Sequence, residues 1–180
     1  GVVQLEVFEG KIGEIRHEGQ ADYTATDLFA WIPRTAPNLL YQQKDVEHGM
    51  LLLNRLPGLT ARLVIQPGVQ YGTSDLLLKT EEDRFRGTVF VDNYGRKDIG
   101  LNRFGVALQA NHLWFAGDQV SLTALQASGD LLRYGGIGYA FALNKHGTRM
   151  SLDASHAGYD VVNPTFGALG LGGLVHDYRA

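Results

Sequence analysis

Cysteine is absent from the 180 residues, which rules out a disulfide framework and thiolate metal sites and fits an oxidising compartment. Long apolar runs are absent too. A membrane-spanning helix needs roughly 20 predominantly apolar residues. The densest run here, Met50 to Leu53, has four, and none is longer than five. Charge of one sign is also lacking, since 16 Lys and Arg against 19 Asp and Glu leave a net −3 with no strong basic run. Such a chain carries no electrostatic footprint for nucleic acid. Its 44% hydrophobic content is that of a folded protein, which argues against disorder. Glycine is plentiful at 23 residues, but it is spread within and between patterned stretches rather than gathered into a linker. The chain opens at Gly1 without methionine or signal peptide and stops at Ala180 in mid-pattern, which reads as an excerpt of a longer protein.

No convincing helical period follows Arg84. Instead, five stretches alternate apolar with polar or small residues at period two: Phe85 to Asn93, Asn102 to His112, Gln119 to Ala127, Tyr134 to Leu143 and Arg149 to Tyr159. Between them lie turn-forming groups, Asn93-Tyr94-Gly95, Gly117-Asp118, Ser128-Gly129-Asp130 and Asn144-Lys145-His146-Gly147. In the second stretch Phe104, Val106, Leu108 and Ala110 point one way, and Arg103, Gly105, Ala107, Gln109 and Asn111 the other. The fourth sets Ile137, Tyr139, Phe141 and Leu143 against Gly136, Gly138, Ala140 and Ala142, a face too small to fill the core of a sandwich. The fifth sets Met150, Leu152 and Ala154 against Arg149, Ser151, Asp153 and Ser155. Spans of roughly 9–11 residues with these two faces fit a membrane β-barrel, apolar side chains toward lipid and polar ones toward a wet lumen. The expected lipid-facing residues are Phe104, Val106, Leu108, Ile137, Tyr139, Phe141 and Leu143; the expected lumen-facing ones are Arg103, Gln109, Asn111, Arg149 and Asp153. Tyr94, Trp114, Phe115, Tyr134 and Tyr159 fall near span ends, where aromatic belts anchor a barrel, loop packing being the other reading.

The first 82 residues read differently. Val3, Leu5 and Val7 alternate with polar neighbours, Glu9-Gly10 breaks the run, and Ile12 and Ile15 continue a strand past a bulge or turn. Thr24 three residues before Asp27 resembles a capping box, and Leu28, Trp31 and Ile32 follow at helical spacing until Pro33. A second helix takes Asp45 as N-cap, places Val46, Met50, Leu53 and Leu56 on one face, and ends at Pro57-Gly58. Strands at Leu59 to Ile65 and Ser74 to Thr80 flank a Pro67-Gly68 turn. The order β-α-α-β-β predicts a small α+β module with helices on one face of a sheet, followed by antiparallel transmembrane strands of a partial barrel.

The segments GVVQLEVFEGKIGEI, LLLNRLPGLTARLVIQPGVQYGTSDL, FVDNYGRKDIGLNR and NHLWFAGDQ, in this order, resemble the hemolysin secretion/activation family, the outer-membrane transporters of two-partner secretion. The resemblance covers nearly the whole chain. It implies that residues 1–82 are the second of two periplasmic POTRA domains and 84–180 the first five strands, with the approach to a sixth, of a sixteen-stranded barrel in the bacterial outer membrane. It further implies export, without nucleotide or other cofactor, of an unfolded partner exoprotein, a hemolysin or filamentous adhesin, whose amino-terminal secretion domain the POTRA domain receives. An extended partner can add as a strand to a sheet edge, and the last strand of the module or the groove beside its second helix is the surface expected to take it. Leu53, Leu56, Leu76, Leu78 and Trp31 are the candidate partner-binding residues, with core packing as the competing role for Leu53 and Leu56. Asp92 and Asn93 are candidates for the barrel seam, the alternative being a turn start before Gly95.

Catalysis has little to build on. His17, His48, His112, His146, His156 and His176 show no two at metal-ligand spacing on one element, so no metal is expected. Gly136-Ile137-Gly138 and Gly167 to Gly173 do not sit between a strand and a helix, as phosphate loops do. Ser74-Asp75 and Asp153-Ala154-Ser155 lack a nucleophile elbow. Two other functions compete with export: an assembly factor of the same superfamily that inserts other barrels, and a soluble all-β module holding a ligand between sheets.

Overall fold

The computed structural model describes residues 3, 9–19, 23–162 and 172–179. Leu5 and Val7 of the opening alternation and most of the Gly167–Gly173 segment lie outside them. The chain folds as two compact units, and the main division between them falls between Glu82 and Asp83.

The first unit runs β1 (Lys11–Gly19), α1 (Ala25–Phe29), α2 (Gln43–Leu53), β2 (Leu59–Pro67) and β3 (Thr73–Glu82). Thr24 and Asp27 form a reciprocal capping box at α1, the Asp27 amide donating to Thr24 Oγ1 at 3.1 Å. The helix closes after five residues, and Trp31 and Ile32 continue it only as i→i−3 turns. For α2 the expected N-cap is corrected: Gln42 holds that position and Asp45 lies in the first turn. There its carboxylate stands 3.8 Å from Arg34 and favours the positive helix start without capping it.

The sheet order is β1-β3-β2, with β1 parallel and β2 antiparallel to β3. The last strand is therefore central and has no free edge to offer a partner, which corrects the expectation placed on it. The break expected at Glu9-Gly10 precedes the start of β1 at Lys11, and the bulge lies further on, between Ile12 and Ile15. It takes the Glu14 amide out of the ladder, and buried Asp75 accepts that amide at 2.7 Å. Gly13 makes this approach feasible, because a Cβ there would stand 2.3 Å from the Asp75 carboxylate.

Ile12, Leu28, Trp31, Ile32, Val46, Leu52, Leu53, Leu56, Leu59, Leu76 and Leu78 are all buried. Gly49 lets α2 seat closely, since a Cβ would lie 2.6 Å from the Ile32 backbone. The second unit is one meander, β4 (Phe85–Asp92), β5 (Arg103–Asn111), β6 (Gln119–Ala127), β7 (Leu132–Ala142), β8 (Arg149–Asp160) and β9 (Gly172–Arg179), each antiparallel to the next. It is a single layer.

Gly49→Ala raises helix propensity yet forces a methyl against Ile32. A net loss of about 1–3 kcal/mol is expected. Urea unfolding followed by far-UV circular dichroism measures it, and a stabilised variant would show that the helix has room.

Candidate membrane and partner surfaces

Strand register assigns the side chains of β4 to β9 to one face or the other. Across the sheet, Val89, Val106, Ala124, Gly135, His156 and His176 form one row, and Gly87, Leu108, Leu122, Ile137, Ala154 and Tyr178 form the next on the same side. Phe104, Val106, Leu108, Ile137, Tyr139 and Phe141 share this face. Leu143 continues their alternation one residue beyond β7. Phe104, Leu108, Ile137 and Leu143 are exposed although large and apolar. These side chains make an apolar surface that runs across several strands.

The limits of the apolar band drift across the rows. Toward the end carrying the 93–102 connection, Val91 and Phe104 remain apolar in a row where β6 and β7 present Gln126 and Arg133. On β8 and β9 polar residues begin a row lower, at His156 and His176, with Leu174 apolar beyond them. Toward the opposite end the band reaches further on β7 and β8, to Phe141 paired with Met150. A hydrocarbon slab crossing strands tilted by roughly 35–45° produces such a slant.

The opposite face carries Arg103, Gln109, Asn111, Arg149 and Asp153. They are not equally open. Arg103 forks onto Asp92 through Nε at 2.8 Å and Nη2 at 3.0 Å. Asn111 is 4% exposed. It donates to the Asp83 carbonyl at 2.8 Å and accepts from Gln119 at 2.9 Å, so it ties the ends of three strands together and is not a lumen surface. Gln109, Arg149 and Asp153 are exposed. One row of this face is apolar, with Phe90, Leu125, Tyr134 and Val175; the Phe90 ring covers Gly105. Such covering restores the apolar contact that glycine lacks in a strand.

The Asp92 carboxylate also accepts the Tyr94 amide at 3.0 Å, the geometry of an Asx turn. It thus serves its own hairpin, and Asn93 follows as a bend. Of the aromatic residues near span ends, Tyr134 and Tyr159 fall by register on the polar face, which removes them from an interfacial belt. Tyr94, Trp114 and Phe115 are exposed in connections.

Trp114 packs edge-on against Tyr139 at 5.7 Å, and Tyr139 stacks on Phe141 at 5.5 Å. Fully buried Asp118 holds this 112–118 connection. It accepts from the amides of Leu113 at 2.7 Å, Trp114 at 3.0 Å and Phe115 at 3.2 Å, and from the Tyr139 hydroxyl at 3.2 Å. Sequence reasoning saw only a turn dipeptide there.

All five candidate partner-binding residues, Leu53, Leu56, Leu76, Leu78 and Trp31, are core. Their apolar spacing reports packing between helices and sheet, so none offers a surface. The open feature lies on β2 instead. Asn54 accepts the Ala61 amide and donates to the Ala61 carbonyl, both at 2.9 Å, which covers one outward-facing residue of that edge. Outward groups recur at every second residue of an antiparallel edge strand, so Leu63 and Ile65 also face outward. Among the described residues no backbone hydrogen bond covers them. Pro67 ends the slot because it has no amide hydrogen. Leu51 on α2, 67% exposed, and Ile65, 49% exposed, are the large apolar side chains that sequence reasoning passed over.

An edge, an apolar face and an opposed polar face define a protein of barrel type, mostly strand with few helices. No family model matches the chain. It is 28% identical over 163 residues to the heme/hemopexin transporter protein HuxB of Haemophilus influenzae, covering 88% of this chain and 28% of that one. To the outer membrane transporter CdiB of Dickeya dadantii it is 32% identical, over 71% of this chain and 22% of CdiB. The solved structure of CdiB from Escherichia coli superposes with a TM-score of 0.64 at 27% identity, over 86% of this chain and 29% of that one. BamA from Haemophilus ducreyi shares the fold, with a TM-score of 0.54 at 15% identity, over 84% of this chain and 28% of that one. The chain is a homologue of the two-partner secretion transporters of the outer membrane, in agreement with the resemblance its motifs carry. It spans about a quarter of the length of these relatives.

Two outcomes check the faces and the turn. Leu108→Arg is expected to cost about 2–4 kcal/mol or block insertion of the full-length protein, with Gln109→Arg mild; equal tolerance in outer-membrane expression would overturn the face assignment. Asp118→Ala leaves three amides without their acceptor. It should lower thermal stability by about 1–3 kcal/mol, with Asp118→Asn intermediate.

Proposed function

We propose that the full-length protein exports a large unfolded exoprotein of hemolysin or filamentous-adhesin type across the outer membrane, and that this chain supplies its recognition module and opening barrel strands. On this reading residues 1–82 are a POTRA domain in the periplasm, and residues 84–180 are the first strands of the barrel. Homology to HuxB and CdiB supports the transport role. The observation that carries recognition is the short open edge of β2 at Leu63 and Ile65.

An unfolded cargo presents backbone everywhere and fixed surface nowhere. A strand edge reads backbone through amide and carbonyl groups, and side-chain contacts then select among sequences. The Asn54 clamp at Ala61 and Pro67 limit the slot, which protects the module from unlimited edge-to-edge pairing. In the barrel, the polar face of Gln109, Arg149 and Asp153 lines the route, and the apolar face with Leu108 and Ile137 meets lipid. β4, whose one edge pairs with β5, is the strand positioned to meet the last strand of a closed barrel, with Asp92 and Asn93 at its end. No cofactor, metal or covalent chemistry enters this scheme. The likeness to BamA favours a second reading, an assembly factor for other barrels, at the level of fold.

Deleting residues 2–82 from the full-length protein should abolish export of the partner and leave a folded barrel. Normal secretion by the deletion would refute the recognition role, and a general loss of outer-membrane proteins would favour assembly. Within the slot, Ile65→Pro removes an outward amide without touching the β3 ladder. Export is expected to fall with Ile65→Pro and to persist with Ile65→Ala, as read from partner protein in the culture medium.

A further inference from the structure

His156 of β8 and His176 of β9 are direct cross-strand partners on the apolar side of the sheet, and both are exposed. Their Nδ1 atoms stand 3.3 Å apart and their ring centroids 4.6 Å, with 44° between the planes. Two uncharged imidazoles in this arrangement share one proton, one nitrogen donating and the other accepting. The same spacing suits a metal. Two nitrogens bound about 2.0–2.1 Å from a tetrahedral ion lie roughly 3.3–3.4 Å apart.

We propose that His156 and His176 form a two-histidine site for a borderline divalent ion such as Zn²⁺ or Cu²⁺, which cross-links β8 to β9. Imidazole nitrogen suits these ions, and Mg²⁺ and Ca²⁺ prefer oxygen donors. Among the described residues no third His, Cys, Asp or Glu joins the pair, so water completes the coordination. Both rings are exposed, which leaves room for further ligands beside them. Arg133, on the neighbouring strand, is balanced by Asp130 at 2.7 Å and does not set a bare cation against the ion. The inference rests on the β8–β9 register and not on the export reading.

Titration of full-length detergent-solubilised protein with Cu²⁺ or Zn²⁺ tests it. Wild type should show a site whose affinity falls at least about tenfold in His156→Ala or His176→Ala, because each substitution turns a chelate into a single ligand. The double variant should lose the remaining single-nitrogen binding, a smaller step than the first loss. Electron paramagnetic resonance of wild type with one equivalent of Cu²⁺ should show two coordinating nitrogens that the single variants reduce to one. A one-nitrogen wild-type spectrum, unchanged affinity in either variant, or additive losses from independent sites would overturn the proposal.

Discussion

Every backbone amide and carbonyl in a sheet must find a partner or water, and this requirement organises both units. In hydrocarbon no water is available, so strands survive only by pairing with strands on each side. The second unit meets the requirement by consecutive antiparallel pairing from β4 to β9, which leaves two edges. Those edges need further strands to close in lipid. The first unit meets it differently. Asn54 covers Ala61, Asp75 covers the amide released at the bulge, and the Leu39 carbonyl accepts the amide of Ile12. On β2 the outward groups of Leu63 and Ile65 have no backbone partner among the described residues.

Face assignment follows from the same ladder. Once register is fixed, side-chain direction is fixed, and a shift of one residue would exchange the faces of an entire strand. That is why the apolar band can be traced from Val91 to Met150 as a slanting stripe. The stripe also gives meaning to polar residues on its side of the sheet. Gln126, Arg133, His156 and His176 stand where polar residues interrupt the band, and an apolar medium there would leave the Arg133 guanidinium without solvent.

Periodicity made much of this legible. The five alternating spans coincide with β4 to β8 to within two residues at each end, because period two is imposed locally by the pleat. The capping box at Thr24 is equally local. Less legible were features set by distant partners. β3 follows β2 in sequence yet lies between β1 and β2, so its edges vanish into pairing. Leu76 and Leu78 looked like an available stripe for the same reason they pack: both roles need apolar residues at one spacing. Asp118 carries three amides and a tyrosine hydroxyl, but its residue type in a Gly-Asp turn tells nothing of Tyr139, which lies 21 residues away. Asn54 and the histidine pair likewise depend on contacts between elements.

A module that recognises cargo through backbone has no need of a conspicuous binding motif. Leu63 and Ile65 are ordinary strand residues, and what distinguishes them is the group they do not bond. Sequence patterns report side chains, so such a site stays silent until the strand order is known. The same silence explains why the apolar core residues attracted attention first. Recognition by an edge also tolerates many cargo sequences, since each extended segment presents the same donors and acceptors at the same repeat. On the proposed export reading, a chain threaded unfolded through a barrel would be held by the one feature it keeps when it has no fold.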